Sequence, residues 1–146
     1  MPKFTALSTA VVLLLSGCLL SDTLDASYDS MAEAISKEAI AKGWIPEWLP
    51  EGAINIREVH NLDTNTSALA FDIPPRARWT LPEHCRPVGF TDTVPSVFNR
   101  SWWPSNDSLA ASYNFFQCKA DASPDFAFVA ISKAGDRGLH WRTYAR

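Results

Sequence analysis

Neither a Cys-x-x-Cys nor a His-x-x-x-His spacing occurs in these 146 residues, and the three histidines, His60, His84 and His140, lie far apart. That scatter excludes the common zinc frameworks, so no metal and no cofactor is expected. With six glycines in all, the chain has no glycine-rich phosphate loop and no Gly-x-Ser-x-Gly elbow, which leaves no signature of nucleotide or hydrolase chemistry. No apolar run reaches the roughly 20 residues needed to span a bilayer. Positive charge is short too: 13 basic against 16 acidic side chains, net −3, argues against nucleic acid as a partner. Cysteine is limited to Cys18, Cys85 and Cys118.

What is present is a globular composition, 47% hydrophobic and 12% aromatic, in a length that accommodates one domain. Near the start, Lys3 precedes an apolar stretch over residues 4–15, the dimensions of a signal-peptide core. It ends in Leu15-Ser16-Gly17-Cys18. This quartet resembles the lipobox of bacterial lipoproteins. The resemblance implies that residues 1–17 are a signal peptide, that the Cys18 sulfur carries lipid and that the protein meets the membrane through that lipid. Each buried methylene of such a chain contributes about 0.8 kcal/mol. In Gram-negative lipoproteins an Asp after the cysteine retains the protein at the inner membrane; here Leu19 follows, which by resemblance points to the outer membrane, facing the periplasm.

Residues 18–26 are then read as a lipidated tether, with residues 19–26 reaching at most roughly 25 Å at about 3.3 Å per residue, and residues 27–146 as a single domain. Residues 18–75 carry ten acids and three bases, residues 76–146 six acids and nine bases. Either the two halves attract each other, or the second presents a basic face to an acidic partner.

Over residues 27–42, Tyr28, Met31, Ala32, Ile35 and Ala39 recur at spacings of three and four, predicting an amphipathic helix. Ser30 with Glu33 suits a capping box, Glu33/Lys37 and Glu38/Lys42 sit one turn apart, and Gly43 suits the end. The connector over residues 43–52, with Trp44, Pro46, Trp48 and Pro50, forbids a helix interior and needs apolar cover for its tryptophans. Alternation over residues 53–60 and 66–73 predicts a hairpin around Asn61-Leu62-Asp63-Thr64-Asn65. Six prolines make residues 74–109 a long irregular loop. Three further strands are expected at Tyr113–Lys119, 126–133 and 139–144, with turns at residues 121–124 and 135–138. The expected fold is α+β: one N-terminal amphipathic helix packed on an antiparallel meander of about five strands, with a long Pro-rich loop.

The blocks Gly43-Trp44-Ile45-Pro46, His60 to Asn65, Trp103-Pro104, Tyr113 to Cys118 and Leu139-His140-Trp141-Arg142 resemble a group of short, uncharacterised bacterial envelope proteins. That resemblance implies a single domain and carries no activity, cofactor or site.

With Cys18 taken by lipid, Cys85 and Cys118 remain as an even pair, which in an oxidising envelope reads as a disulfide pinning the long loop. The competing reading, Cys85 as a nucleophile served by His60, His84 or His140, has no protease signature behind it. His60 with Asp63 is two metal ligands, an acid/base pair or, more simply, a solvated His beside a turn-forming Asp. No catalytic residue is expected. The expected function is a lipid-anchored, non-enzymatic envelope module that binds a protein partner. The alternative is a glycan or peptidoglycan-binding module using Trp102, Trp103, Arg100 and Arg78, whose arginine and aromatic side chains either stack on sugars or cap the core. Replacing the lipid-bearing sulfur is the direct test: Cys18→Ser is expected to move the protein into the soluble envelope fraction, and unchanged membrane retention on cell fractionation would refute the lipid anchor.

Overall fold

A computed structural model describes residues 22–119 and 126–144. The lipobox residues Leu15 to Cys18 and the expected turn at 121–124 lie outside them. Seven antiparallel strands form one sheet: β1 (Thr23–Ser30), β2 (Ile54–Asn61), β3 (Ser67–Asp72), β4 (Cys85–Val88), β5 (Tyr113–Lys119), β6 (Phe126–Ser132) and β7 (Arg137–Thr143). Their order is β1-β2-β3-β7-β6-β5-β4. Two meanders, β1-β2-β3 and β5-β6-β7, are therefore joined through the β3–β7 pairing, where Ser67 faces Arg142 and Phe71 faces Gly138. Among the described residues, helix is confined to α1 (Met31–Ser36), α2 (Asn106–Ser112) and a 3₁₀ turn at Phe90–Asp92. No helix among the described residues is long and apolar enough to cross a membrane.

This is a mainly-β fold, which overturns the expectation of an α+β domain with a helix packed on a five-stranded meander. The predicted helix starts late and stops early. Residues 23–30 form β1, so residues 23–26, read as tether, belong to the sheet. Ser30 does cap α1 by accepting from the Glu33 amide, while the Glu33 carboxylate accepts from the Asp29 amide. After one and a half turns, Glu38 takes a left-handed φ of 60° and ends the helical path. That kink turns Ala39 and Ile45 inward, where both are buried; the burial of the following segment outweighs the helical periodicity that the sequence continues to Lys42.

The hairpin and the three C-terminal strands form where expected, within a residue or two. β1 and β4 are additional and occupy the two edges. β4 sits inside the Pro-rich stretch because the Cys85–Cys118 disulfide, between directly opposed residues, holds it against β5. Such a cross-link contributes about 2–4 kcal/mol by restricting the unfolded chain. It also removes Cys85 as a nucleophile.

Each face of the sheet has its own apolar layer. On one, Ile56, Leu69 and Phe71 pack with Tyr28, Met31, Ala34, Ile45 and Leu49. On the other, Val59, Ala68, Ala70, Leu139, Trp141, Phe128 and Phe115 pack under Leu109, Phe98, Trp102 and Trp103. Residues of β3 are small toward the second face because Trp141 of β7 lies directly opposite Ala68.

Gly138, expected in a turn, lies instead within β7, where the Phe71 ring crosses it so closely that an added Cβ would overlap the ring. Gly138→Ala is expected to destabilise the domain by about 1–3 kcal/mol through overpacking, measured by urea unfolding. Combining it with Phe71→Leu should cost less than the two changes summed; strict additivity would refute the contact as the cause.

Candidate functional site

Alternation along β2 places Ile56, Glu58 and His60 on one face, and the pairings Glu58 with Leu69 and His60 with Ser67 continue that face into β3 and β7. Glu58 and His60 are both buried, with their side chains 0% and 6% exposed. His60 Nδ1 lies 2.5 Å from Glu58 Oε1. Burial, reinforced by the negative charge of Asp25 and partly offset by Arg142, pushes the Glu58 carboxyl up to about 8. Burial first, then Arg142, pushes the His60 imidazole down. Both shifts favour the uncharged partners: a carboxylic acid donating its proton to a neutral imidazole. Glu58 Oε2 and His60 Nε2 are left without a partner among the described residues.

The connector over residues 43–52 roofs this pair. Trp44 stacks on the His60 ring at 4.5 Å between centroids, and Trp48 meets His140 edge-on at 5.3 Å. Trp79, from the Pro-rich stretch, donates its indole N–H to the Trp48 carbonyl at 2.8 Å. Each connector tryptophan thus covers a buried histidine. His140 is bonded through Nδ1 to the Phe128 carbonyl, and burial lowers it to about 4. Beside the roof lies a cleft of about 460 Å³ whose walls include Trp44, Trp48, Ser67, His84, His140 and Arg142.

A second cavity, of about 550 Å³, opens on the opposite face between the sheet and residues 90–109. Of the binding candidates read from the sequence, Trp103 lines it. Trp102 packs edge-on against Trp103 at 6.0 Å, and its carbonyl accepts from Arg137. Arg100 turns to the sheet edge and forms a two-pronged pair with Asp25, at 2.7 and 3.0 Å. Arg78 is exposed beside Ala77 and Trp79, which pack on the first face. The four residues are therefore not brought together in one site.

His60 sits in β2, not in the hairpin loop, and its partner is Glu58 rather than Asp63. The sequence reading passed over Glu58, although the alternation that put Ile56 inward puts Glu58 inward as well. An acid at an inward strand position was the available signal. Among the described residues no cluster of three or more His, Cys, Asp or Glu side chains could hold a metal ion.

Proton linkage follows from these shifts. The histidines are lowered, so they cost stability as pH falls below about 6.5; Glu58 is raised, so its contribution is lost as pH rises toward 8. From about pH 7 to about 8, where the histidines are largely neutral in both states, Glu58 dominates, and stability is expected to fall by about 1 kcal/mol per unit. Glu58→Gln should flatten that window in urea unfolding at several pH values; an unchanged slope would refute the protonated carboxyl.

The family model of the YbbD head domain matches residues 22–72. No curated protein and no solved structure matches the chain. The matched span runs from β1 to the end of β3 and contains Trp44, Glu58, His60 and Ser67, so over residues 22–72, about a third of its length, the chain is similar to the YbbD head domain.

Proposed function

We propose that the protein is a lipid-anchored, non-enzymatic module of the cell envelope, held at the outer membrane facing the periplasm through Cys18, and that it works by binding a partner protein along β1. The lipobox resemblance supports the anchor. Because β1 begins at Thr23, the linker after Cys18 shortens to residues 19–22, roughly 13 Å at about 3.3 Å per residue, which would hold β1 close to the bilayer.

The observation that carries the partner reading is the contrast between the two sheet edges. An edge strand presents a row of unpaired backbone groups, and proteins blunt such edges with proline, shortness or cross-links. β4 is blunted in all three ways: four residues, Pro87 and the disulfide. β1 is eight residues long, without proline. Of the five exposed large apolar side chains among the described residues, Leu24 lies on β1, Ile35, Ile54 and Leu62 on the segments that follow it, and Tyr144 just past β7. Strand addition by an extended segment of the partner fits such an edge. Asp22 and Asp29 are exposed, which selects a segment carrying basic side chains, while Asp25 between them is already paired with Arg100.

Photocrosslinking in intact cells tests this. Probes at Leu24 and Leu62 are expected to capture a protein that a probe at Arg86 on β4 does not, and the adduct should weaken when Asp22 and Asp29 are both changed to Lys. Equal yields from both edges, or an adduct indifferent to the charge reversal, would overturn the reading.

A further inference from the structure

The cavity on the Trp141 face is a candidate site of another kind, independent of the anchor and of the β1 edge. Phe115 and Trp141, both buried in the sheet, line it from one side, and Phe90, Phe98 and Trp103 from the overlying segment. Its volume of about 550 Å³ lies within the roughly 300–1,000 Å³ typical of small-molecule sites.

The segment that roofs it is held at several points. The Trp141 indole donates to the Val94 carbonyl at 2.8 Å, the Thr143 hydroxyl to the Pro95 carbonyl at 3.3 Å, and Arg137 to the Trp102 carbonyl at 3.0 Å. The Arg100–Asp25 pair ties the same segment to β1. These ties come from β7 and from an edge strand, so the loop is fixed around the cavity and no ordering is required when a ligand enters.

The chemistry of the lining is selective. None of the side chains lining the cavity is charged, and Arg100, 5.8 Å from the centroid of the Phe98 ring, is already paired with Asp25, so an ion entering it would lose hydration without a free counter-charge. Yet the cavity is not purely apolar: Asn99, Asn106, Ser96 and Thr91 are part of it. The side-chain amides of Asn99 and Asn106 make no hydrogen bond to another described residue and each offers both donors and an acceptor. Flat aromatic surfaces with uncharged hydrogen-bonding groups match a ligand that has an apolar ring face and hydroxyl or amide groups at its edge. We propose that this cavity binds a neutral saccharide, with Trp103 and Phe98 against the ring face and Asn99 and Asn106 on its polar edge.

The mature protein, titrated with N,N′-diacetylchitobiose and with maltose, provides the test, using tryptophan fluorescence and saturation-transfer NMR as readouts. At least one of these neutral disaccharides is expected to bind saturably. Asn106→Ala, at an exposed position where folding is not at stake, should weaken binding about fivefold, the loss of one hydrogen bond, and Trp103→Phe should weaken it as well. Trp44→Phe, on the opposite face, should leave affinity unchanged. Absence of saturable binding by both sugars, binding indifferent to Asn106→Ala, or saturable binding of dodecanoate alone would each overturn the proposal.

Discussion

Both faces of the seven-stranded sheet carry apolar side chains, and every other feature of the molecule follows from the need to dry both of them with almost no helix. Ile56, Leu69 and Phe71 point one way, Leu139, Trp141 and Phe128 the other. A sheet left bare on either side would expose this surface to water, at about 25 cal/mol per Å² of apolar area. In most domains a helix or a second sheet supplies the cover. Here two connectors do so, and both are rich in proline and tryptophan. Proline limits the conformations available to the unfolded chain, and each indole supplies a large apolar body with one polar N–H. Trp79 and Trp141 illustrate the second point, each donating its N–H to a carbonyl of the segment that it helps to hold.

The same covers explain how polar groups survive inside. Glu58 and His60 are tolerated in the core because one short hydrogen bond pairs Oε1 with Nδ1, leaving Glu58 Oε2 and His60 Nε2 unpaired, and because Trp44 closes over the imidazole. A charged carboxylate in that place would be costly to bury, and the raised Glu58 carboxyl reflects that burial, reinforced by Asp25 and only partly offset by Arg142. The charge imbalance between the two halves of the chain also resolves in the fold. Arg100 with Asp25 and Arg137 with Asp72 each join the basic half to the acidic half. Two ion pairs thus link the halves, and these two arginines are engaged within the chain.

Strands whose residues alternate in a local pattern were legible from the sequence: β2, β3, β5, β6 and β7 all announce themselves by period two or by a continuous apolar run between turn residues. β1 and β4 did not. Thr23 to Ser30 carries apolar residues that also fit a helical spacing with Met31 and Ile35, and the choice between the two periods depends on whether β2 is available to pair with. β4 contains a proline and spans four residues, too short for any periodicity; its strand character comes from Cys118 and β5. In the site region, the pairing of Cys85 with Cys118 was legible because only two cysteines remained. The meeting of Trp44 with His60 was not, since it depends on the left-handed turn at Glu38.

From the sequence alone came the globular class, the resemblance to a lipobox at Cys18, the hairpin, the three C-terminal strands and the cysteine pair, because each rests on composition or on residues a few positions apart. The tertiary structure decided which strands stand at the edges, that Gly138 passes beneath Phe71, that Glu58 shares a proton with His60, and that Trp103 faces a cavity while Arg100 and Arg78 lie elsewhere. Glu58 and His60 are neighbours on β2 whose bond the tertiary structure only buries, whereas the edges, the Gly138 contact and the Trp103 cavity depend on β3 pairing with β7 across a connection of some 65 residues. No local pattern encodes such a pairing; it is selected by the burial of two sheet faces at once.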